Sequence, residues 1–212
     1  FTVKYVGEPR TALGFSLLVP LAILQNLGLV GPIDQEVHEA ISVLTNLECR
    51  LSPDITVDHN PAKELAISMK DKLIVVYGAG ILSGVARRWK TQLNENAKVW
   101  AFMELLPEAG HNAVAAFQRR WRHDKDSCVI LLNAVGLDSR LRIRYNVIKE
   151  ILNHTKIESH TVDGIGTGVL AQMLSSVMFG DYTSYYLALI NNEDPSPVSA
   201  IDYMKSRLNG TS

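Results

Sequence analysis

The sequence predicts an α/β fold: a three-layer sandwich with a mainly parallel sheet, preceded by helices of a separate unit. Three observations carry this reading. Short apolar runs of strand length recur at 73–77, 99–103, 128–133 and 157–162. Stretches with helical spacing separate them. Strands alternating with helices of this length require parallel pairing through right-handed crossovers. The rhythm starts only at Lys72, so the residues before it are read as a different kind of structure.

In chain order, F-T-V-K-Y-V at 1–6 reads as a strand and Gly7-Glu-Pro-Arg10 as the turn after it. The apolar run 11–29 carries Pro20, Gln25 and Asn26, too many interruptions for a bilayer span. It is read as a buried helix bent near Pro20. Asp34 is expected to cap an amphipathic helix whose Val37, Ala40, Ile41, Leu44 and Leu47 share a face. Residues 51–60 are polar and contain a proline, as in a linker; Asn60-Pro61 then opens a helix with Ala62, Leu65 and Ala66 on one side.

The strand at 73–77 leads into the glycine-rich turn 78–84 and a helix through Trp89 and Leu93. The strand at 99–103 precedes a helix from Asn112 to Trp121. The strand at 128–133 precedes one from Ser139 to Leu152, with Arg140, Arg142 and Arg144 toward water. After the strand at 157–162 come helices over 168–179 and 181–190, divided at Gly180, and a last one over 198–208. In such sheets ligands bind beyond the carboxyl ends of the strands, which directs attention to the loops 78–84, 104–111 and 133–139.

The 212 residues are 47% hydrophobic and 20% charged, with a net charge of −1 and no basic run. Nothing in that balance points to nucleic acid or an anionic membrane surface. Cys49 and Cys128 stand in apolar surroundings and are read as buried thiols of a reducing compartment. His38, His59, His123, His154 and His160 show no pairing at metal-ligand spacing, so no metal is expected. No cofactor is expected either.

The stretch 87–112 holds the chemistry-bearing residues. Glu95 lies between Asn94 and Asn96 at a helix end where a single glycine or asparagine would suffice. His111 follows a Pro-Glu-Ala-Gly turn, where Ser, Thr or Asp would cap better. A carboxylate and an imidazole are common equipment for proton transfer. From the residues alone, each also fits a solvated or turn-stabilising role. The Gly78–Gly84 loop has the strand-to-helix geometry of an anion site but lacks the dinucleotide spacing. It is read first as a tight turn.

Arg88-Trp89-Lys90, N-E-N-A-K at 94–98 and P-E-x-x-H-N at 107–112 resemble the sugar-isomerase (SIS) domain of bifunctional phosphoglucose/phosphomannose isomerases. So do Gly7-Glu-Pro-Arg10, Gly180-Asp-Tyr182 and D-P-S-P-V-x-x-I-D-Y-M-K at 194–205. The resemblance is to the C-terminal portion of that two-domain family. It implies a cytoplasmic enzyme that interconverts glucose 6-phosphate or mannose 6-phosphate with fructose 6-phosphate. By resemblance, Glu95 is the base moving a proton between C1 and C2, and Arg10 stabilises the enediolate. Lys205 and His111 assist ring opening, with His111 supplied to the neighbouring subunit of a homodimer. Gly78, Gly80, Ser83 and Asn94 are assigned to substrate contact. The family's phosphate loop lies in a first SIS domain, so residues 1–50 are read as the end of that domain and 51–212 as the second. On that reading these 212 residues alone are a fragment without turnover. The alternative is a regulatory SIS module that binds a sugar phosphate without catalysis.

Overall fold

A computed structural model describes residues 4–118 and 126–210 of the chain, with the Gln118 side chain left aside. Helices α1 (Leu13–Asn26), α2 (Asp34–Leu51) and α3 (Pro61–Ser68) come first. Then β1 (Leu73–Ala79), α4 (Ser83–Asn96), β2 (Ala101–Leu106), β3 (Ser127–Asn133), α5 (Ser139–Thr155) and β4 (Glu158–Asp163) alternate. Helices α6 (Val169–Ile190) and α7 (Ser199–Asn209) close the chain.

The four strands form one parallel sheet in the order β2-β1-β3-β4. From the central pair the chain moves outward one way through α4 and the other way through α5. Right-handed crossovers therefore place these two helices on opposite faces. Glycine 78 shows how closely α4 approaches: a Cβ there would meet Ala86 Cβ at 2.6 Å and the Leu82 carbonyl oxygen at 2.8 Å. Helices α2 and α3 pack on α6, and α6 packs on α4. The core beneath them is built from Ile74, Val76, Leu82, Trp89, Leu93, Ile130, Leu131 and Leu132, all nearly inaccessible. The α/β sandwich expected from the sequence is the fold observed.

Several local expectations change. Helix α1 forms around Pro20, but none of its residues is buried: Phe15 and Leu18 stay exposed, and only Leu17 and Leu21 reach the small cluster of Ala40, Leu170 and Ala171. An apolar composition marked a helix, not a covered one. Ile33, not Asp34, is the N-cap of α2. Asp34 sits in the first turn, where its charge still favours the positive helix end. Asn60 does cap α3, accepting from the amides of Ala62 and Lys63. Residues 4–6 form no strand. The helix expected from Asn112 is a 3-10 stretch over Ala113–Gln118, and its last expected residues, 119–121, lie outside the described ones. Strand β2 runs three residues further than the apolar run suggested.

Gly180 does not divide α6, which is one helix of 22 residues. The glycine answers to packing instead: a Cβ there would stand 2.4 Å from Trp89 Nε1 and Cε2. Cys128 is buried and its thiol pKa is pushed up to about 12 by that burial, but Cys49 is exposed on the outer side of α2. Among the described residues no helix is long and apolar enough to cross a membrane.

Candidate active site

Parallel β–α–β units fix which end of the molecule each candidate occupies. Helix α4 runs antiparallel to β1 and β2, so its first residue, Ser83, lies at the carboxyl ends of the strands and Glu95 at their amino ends. Twelve residues at a rise of ~1.5 Å separate the two by about 18 Å along the axis. Gly78, Gly80, Ser83 and His111 therefore cluster at one end of the sheet, and Asn94 and Glu95 at the other.

At the carboxyl end, Gly80 has φ of +52° and turns the chain tightly, its missing Cβ facing the Leu137 side chain at 3.3 Å. His111 follows the 3-10 turn Glu108–Gly110, and its amide donates to the Glu108 carbonyl at 2.8 Å. Its ring is exposed.

At the amino end, residues far apart in sequence meet. Arg10 Nη1 donates to Glu95 Oε2 at 3.5 Å, with the arginine side chain only 12% exposed and the glutamate 32%. Arg10 Nη2 donates to the carbonyls of Pro195 at 3.2 Å and Ser196 at 2.7 Å. Arg88, on α4, holds Arg10 from behind. Its Nη2 donates to the Arg10 carbonyl at 3.0 Å and to Asp181 Oδ2 at 2.7 Å, while Nε reaches Oδ1 at 3.2 Å. That two-pronged ion pair joins α4 to α6. Burial raises the Asp181 carboxyl pKa, and Arg88 opposes the shift. Asn94 Nδ2 donates to the Val99 carbonyl at 2.8 Å, which ties the end of α4 to the approach of β2.

Glu95 opens onto a cleft of about 510 Å³ lined by Asn94, Lys98, Asp194, Val198 and Ile201. That size lies within the usual range for small-molecule sites. The first turn of α7 forms part of this wall, and Lys205 lies under two turns further along the same helix, exposed.

Sequence reasoning missed Arg88, Asp181 and Lys98 as members of this arrangement. A signal was present: all three lie inside the motifs that carry the resemblance, without a role attached. It also missed a convergence at the start of the sheet. Cys128, Glu158 and His160 bring ligand-type atoms within 4.8 Å of one another, because β3 and β4 pair Cys128 with Glu158. Glu158 already accepts from the Lys72 ammonium, so a cation of the protein occupies that carboxylate.

The profile of the bacterial phospho-glucose isomerase C-terminal SIS domain matches residues 58–208. The chain belongs to this family. Among curated relatives, the bifunctional phosphoglucose/phosphomannose isomerase of Caldicellulosiruptor bescii is 32% identical over 202 residues, covering 95% of this chain and 60% of that protein. The protein of the same description from Thermoplasma acidophilum is 31% identical, over 98% of this chain and 62% of its own. The chain thus spans about three-fifths of the length of the relatives it matches. Among solved structures, a glucose-6-phosphate isomerase like protein from Thermus thermophilus superposes with a TM-score of 0.68 at 22% identity, over 87% of this chain and 59% of that one. The C-terminal domain of glucosamine-fructose-6-phosphate aminotransferase from Francisella tularensis reaches 0.55 at 15% identity, over 77% and 48%. Both share the fold of this chain.

Proposed function

We propose that this chain works as the proton-handling part of a cytoplasmic aldose–ketose isomerase acting on glucose 6-phosphate and mannose 6-phosphate, with fructose 6-phosphate as the common ketose. The observation that carries the reading is Glu95, paired with Arg10 and lining a sugar-sized cleft, in a member of a phosphosugar isomerase family. Glu95 removes the proton at C2 of the open-chain aldose and returns it to C1. Charge then develops on the enediolate oxygens, where a fixed guanidinium such as Arg10 stabilises it. Deprotonation at C2 erases the configuration that separates glucose from mannose, so one base serves both.

Lys205 and His111 act on the ring oxygen and O1 before that step. Within one subunit His111 and Glu95 lie at opposite ends of the sheet, which supports the reading that His111 serves a second copy in a homodimer. Residues 1–50 are the end of a first SIS domain whose phosphate loop holds the substrate's dianion, and 51–212 are the second domain. Asn94, beside Glu95, contacts the sugar. Gly78, Gly80 and Ser83, at the other end, contact a substrate held with the partner subunit.

The test uses the natural full-length protein with fructose 6-phosphate in deuterated water. Deuterium enters the sugar at C1 or C2, and Glu95→Gln abolishes it. If the wild type incorporates none, the chain is a non-catalytic sugar-phosphate module. Mixing Glu95→Gln and His111→Ala subunits restores activity to about a quarter of wild type, because half of random dimers carry one intact site of two. Mixtures that stay inactive, with subunit exchange verified, place His111 in its own subunit's chemistry, and a His111→Ala protein active by itself places it outside the chemistry.

A further inference from the structure

The geometry points to Lys98 as a positioning residue: its ammonium clamps the Glu95-bearing end of α4 to the 194–196 loop that receives Arg10, so that base and guanidinium are held in register. This rests on the isomerase reading above for its catalytic consequence, but not for its geometry.

Lys98 follows the C-cap of α4 with φ of +56°, the left-handed conformation in which helix ends ordinarily carry glycine. A side chain there is disfavoured, and this lysine has a contact that compensates. The contact is with backbone. Lys98 Nζ lies 2.7 Å from the Glu95 carbonyl, 3.3 Å from that of Asn96, 2.9 Å from that of Asp194 and 3.4 Å from that of Pro195. The first two oxygens belong to the last turn of α4, where carbonyls have no partner within the helix. The other two belong to the loop after α6.

Pro195 closes the circuit, because its carbonyl accepts from Arg10 Nη2 as well as from Lys98. Helix end, lysine, loop, arginine and Glu95 carboxylate form one ring of contacts. Arg10 also bridges the two, through the Glu95 carboxylate; Lys98 is the member that ties the backbone of the helix end to the backbone of the loop.

The experiment compares Lys98→Met, which keeps the stem and loses the charge, with Lys98→Gly, which also relieves the backbone, and Lys98→Arg. Each is made in the full-length protein. Amide hydrogen exchange over 95–98 and 193–198 is followed together with turnover. The expected result is faster exchange in both segments for Met and Gly at a temperature where the fold is intact. The kcat falls on the order of 10- to 100-fold, as for a misplacement of about 1 Å. KM changes by less than about threefold, and deuterium incorporation falls in step with kcat. Lys98→Arg recovers part of the loss. Met and Gly variants that fold, exchange and turn over like wild type overturn the proposal. If the wild type is no isomerase, faster exchange in the variants still supports the clamp while the functional reading fails. Unchanged exchange removes the clamp whatever the activity.

Discussion

Replacing Gly180 by alanine sets two effects of opposite sign against each other, and the structure says which wins. Gly180 lies inside α6, and from helix propensity alone alanine gains about 0.5–1 kcal/mol. The new Cβ, however, would stand 2.4 Å from Trp89 Nε1 and Cε2 and 2.7 Å from Cδ2, about 0.8–1.1 Å inside the ~3.5 Å of an ordinary carbon contact. Trp89 has nowhere to go. It is 1% exposed, stacks on Phe179 with ring centroids 6.2 Å apart, and donates Nε1 to the Ser176 carbonyl at 2.8 Å. Overpacking of this kind destabilises by about 1–3 kcal/mol. Weakening the indole hydrogen bond adds about 1 kcal/mol. Net of propensity, Gly180→Ala loses roughly 2 kcal/mol, or about 4–8 °C in Tm for a chain of this size. Thermal and urea unfolding followed by circular dichroism reads this directly. In a Trp89→Leu background the clash is gone, and the same substitution becomes neutral or stabilising by up to about 1 kcal/mol. A Gly180→Ala protein as stable as wild type, or more so, refutes the packing argument. The next residue, Asp181, holds Arg88, so the variant also slows any chemistry that depends on Arg10.

The other two predictions concern stability alone. Ser176 Oγ is buried without a hydrogen-bond partner among the described residues, so Ser176→Ala raises stability by about 1 kcal/mol in urea titration, and a loss of that size would show the hydroxyl to be paired. Glu39 of α2 accepts from the Thr167 amide at 2.6 Å, the Thr167 hydroxyl at 2.9 Å and the Gly168 amide at 3.0 Å, which lowers its pKa below the usual 4.5. A lowered carboxyl pKa contributes stability that is present above 4.5 and lost as pH falls through the folded-state value. Urea midpoints of wild type therefore decline with acidification below pH 4.5, and Glu39→Gln starts lower and declines less; parallel curves contradict the assignment.

The alternating rhythm after Lys72 made the sheet legible because buried parallel strands read as continuous apolar runs. The same rule failed for α1, since an apolar run says that a surface is to be covered, not that this chain covers it. Gly180 misled for a related reason. Glycine punctuates a helix in sequence, and only the facing Trp89 reveals that the missing Cβ is the point. At the site, Glu95 and Arg10 were named from motifs, but their meeting spans 85 positions and no local pattern encodes it. Arg88, Asp181 and Lys98 lay in the motifs, but their roles were not legible because their partners are backbone carbonyls or residues of another helix, and spacing reports neither.

The end of the sheet at which Glu95 lies also explains why it keeps such cationic company. Ligands of open parallel sheets ordinarily gather at the carboxyl ends of strands, where helix N-termini offer partial positive charge. Here one such offer is already taken: the N-terminus of α6 is filled from within, by Glu39 on Thr167 and Gly168 and by Glu36 on the Leu170 amide at 3.1 Å. Glu95 stands instead in the last turn of α4, facing the partial negative charge of unpaired carbonyls. A carboxylate there is placed against the local field, and so is any anionic intermediate that forms beside it. Two cations reverse the balance. Lys98 neutralises the carbonyls of Glu95 and Asn96 themselves, and Arg10 pairs with the carboxylate while anchored on the Pro195 and Ser196 carbonyls. Remove either and the helix end repels the charge that the proposed reaction must accumulate. The site is therefore assembled from segments far apart in sequence, with Arg10 and the 194–196 loop converging on the end of α4.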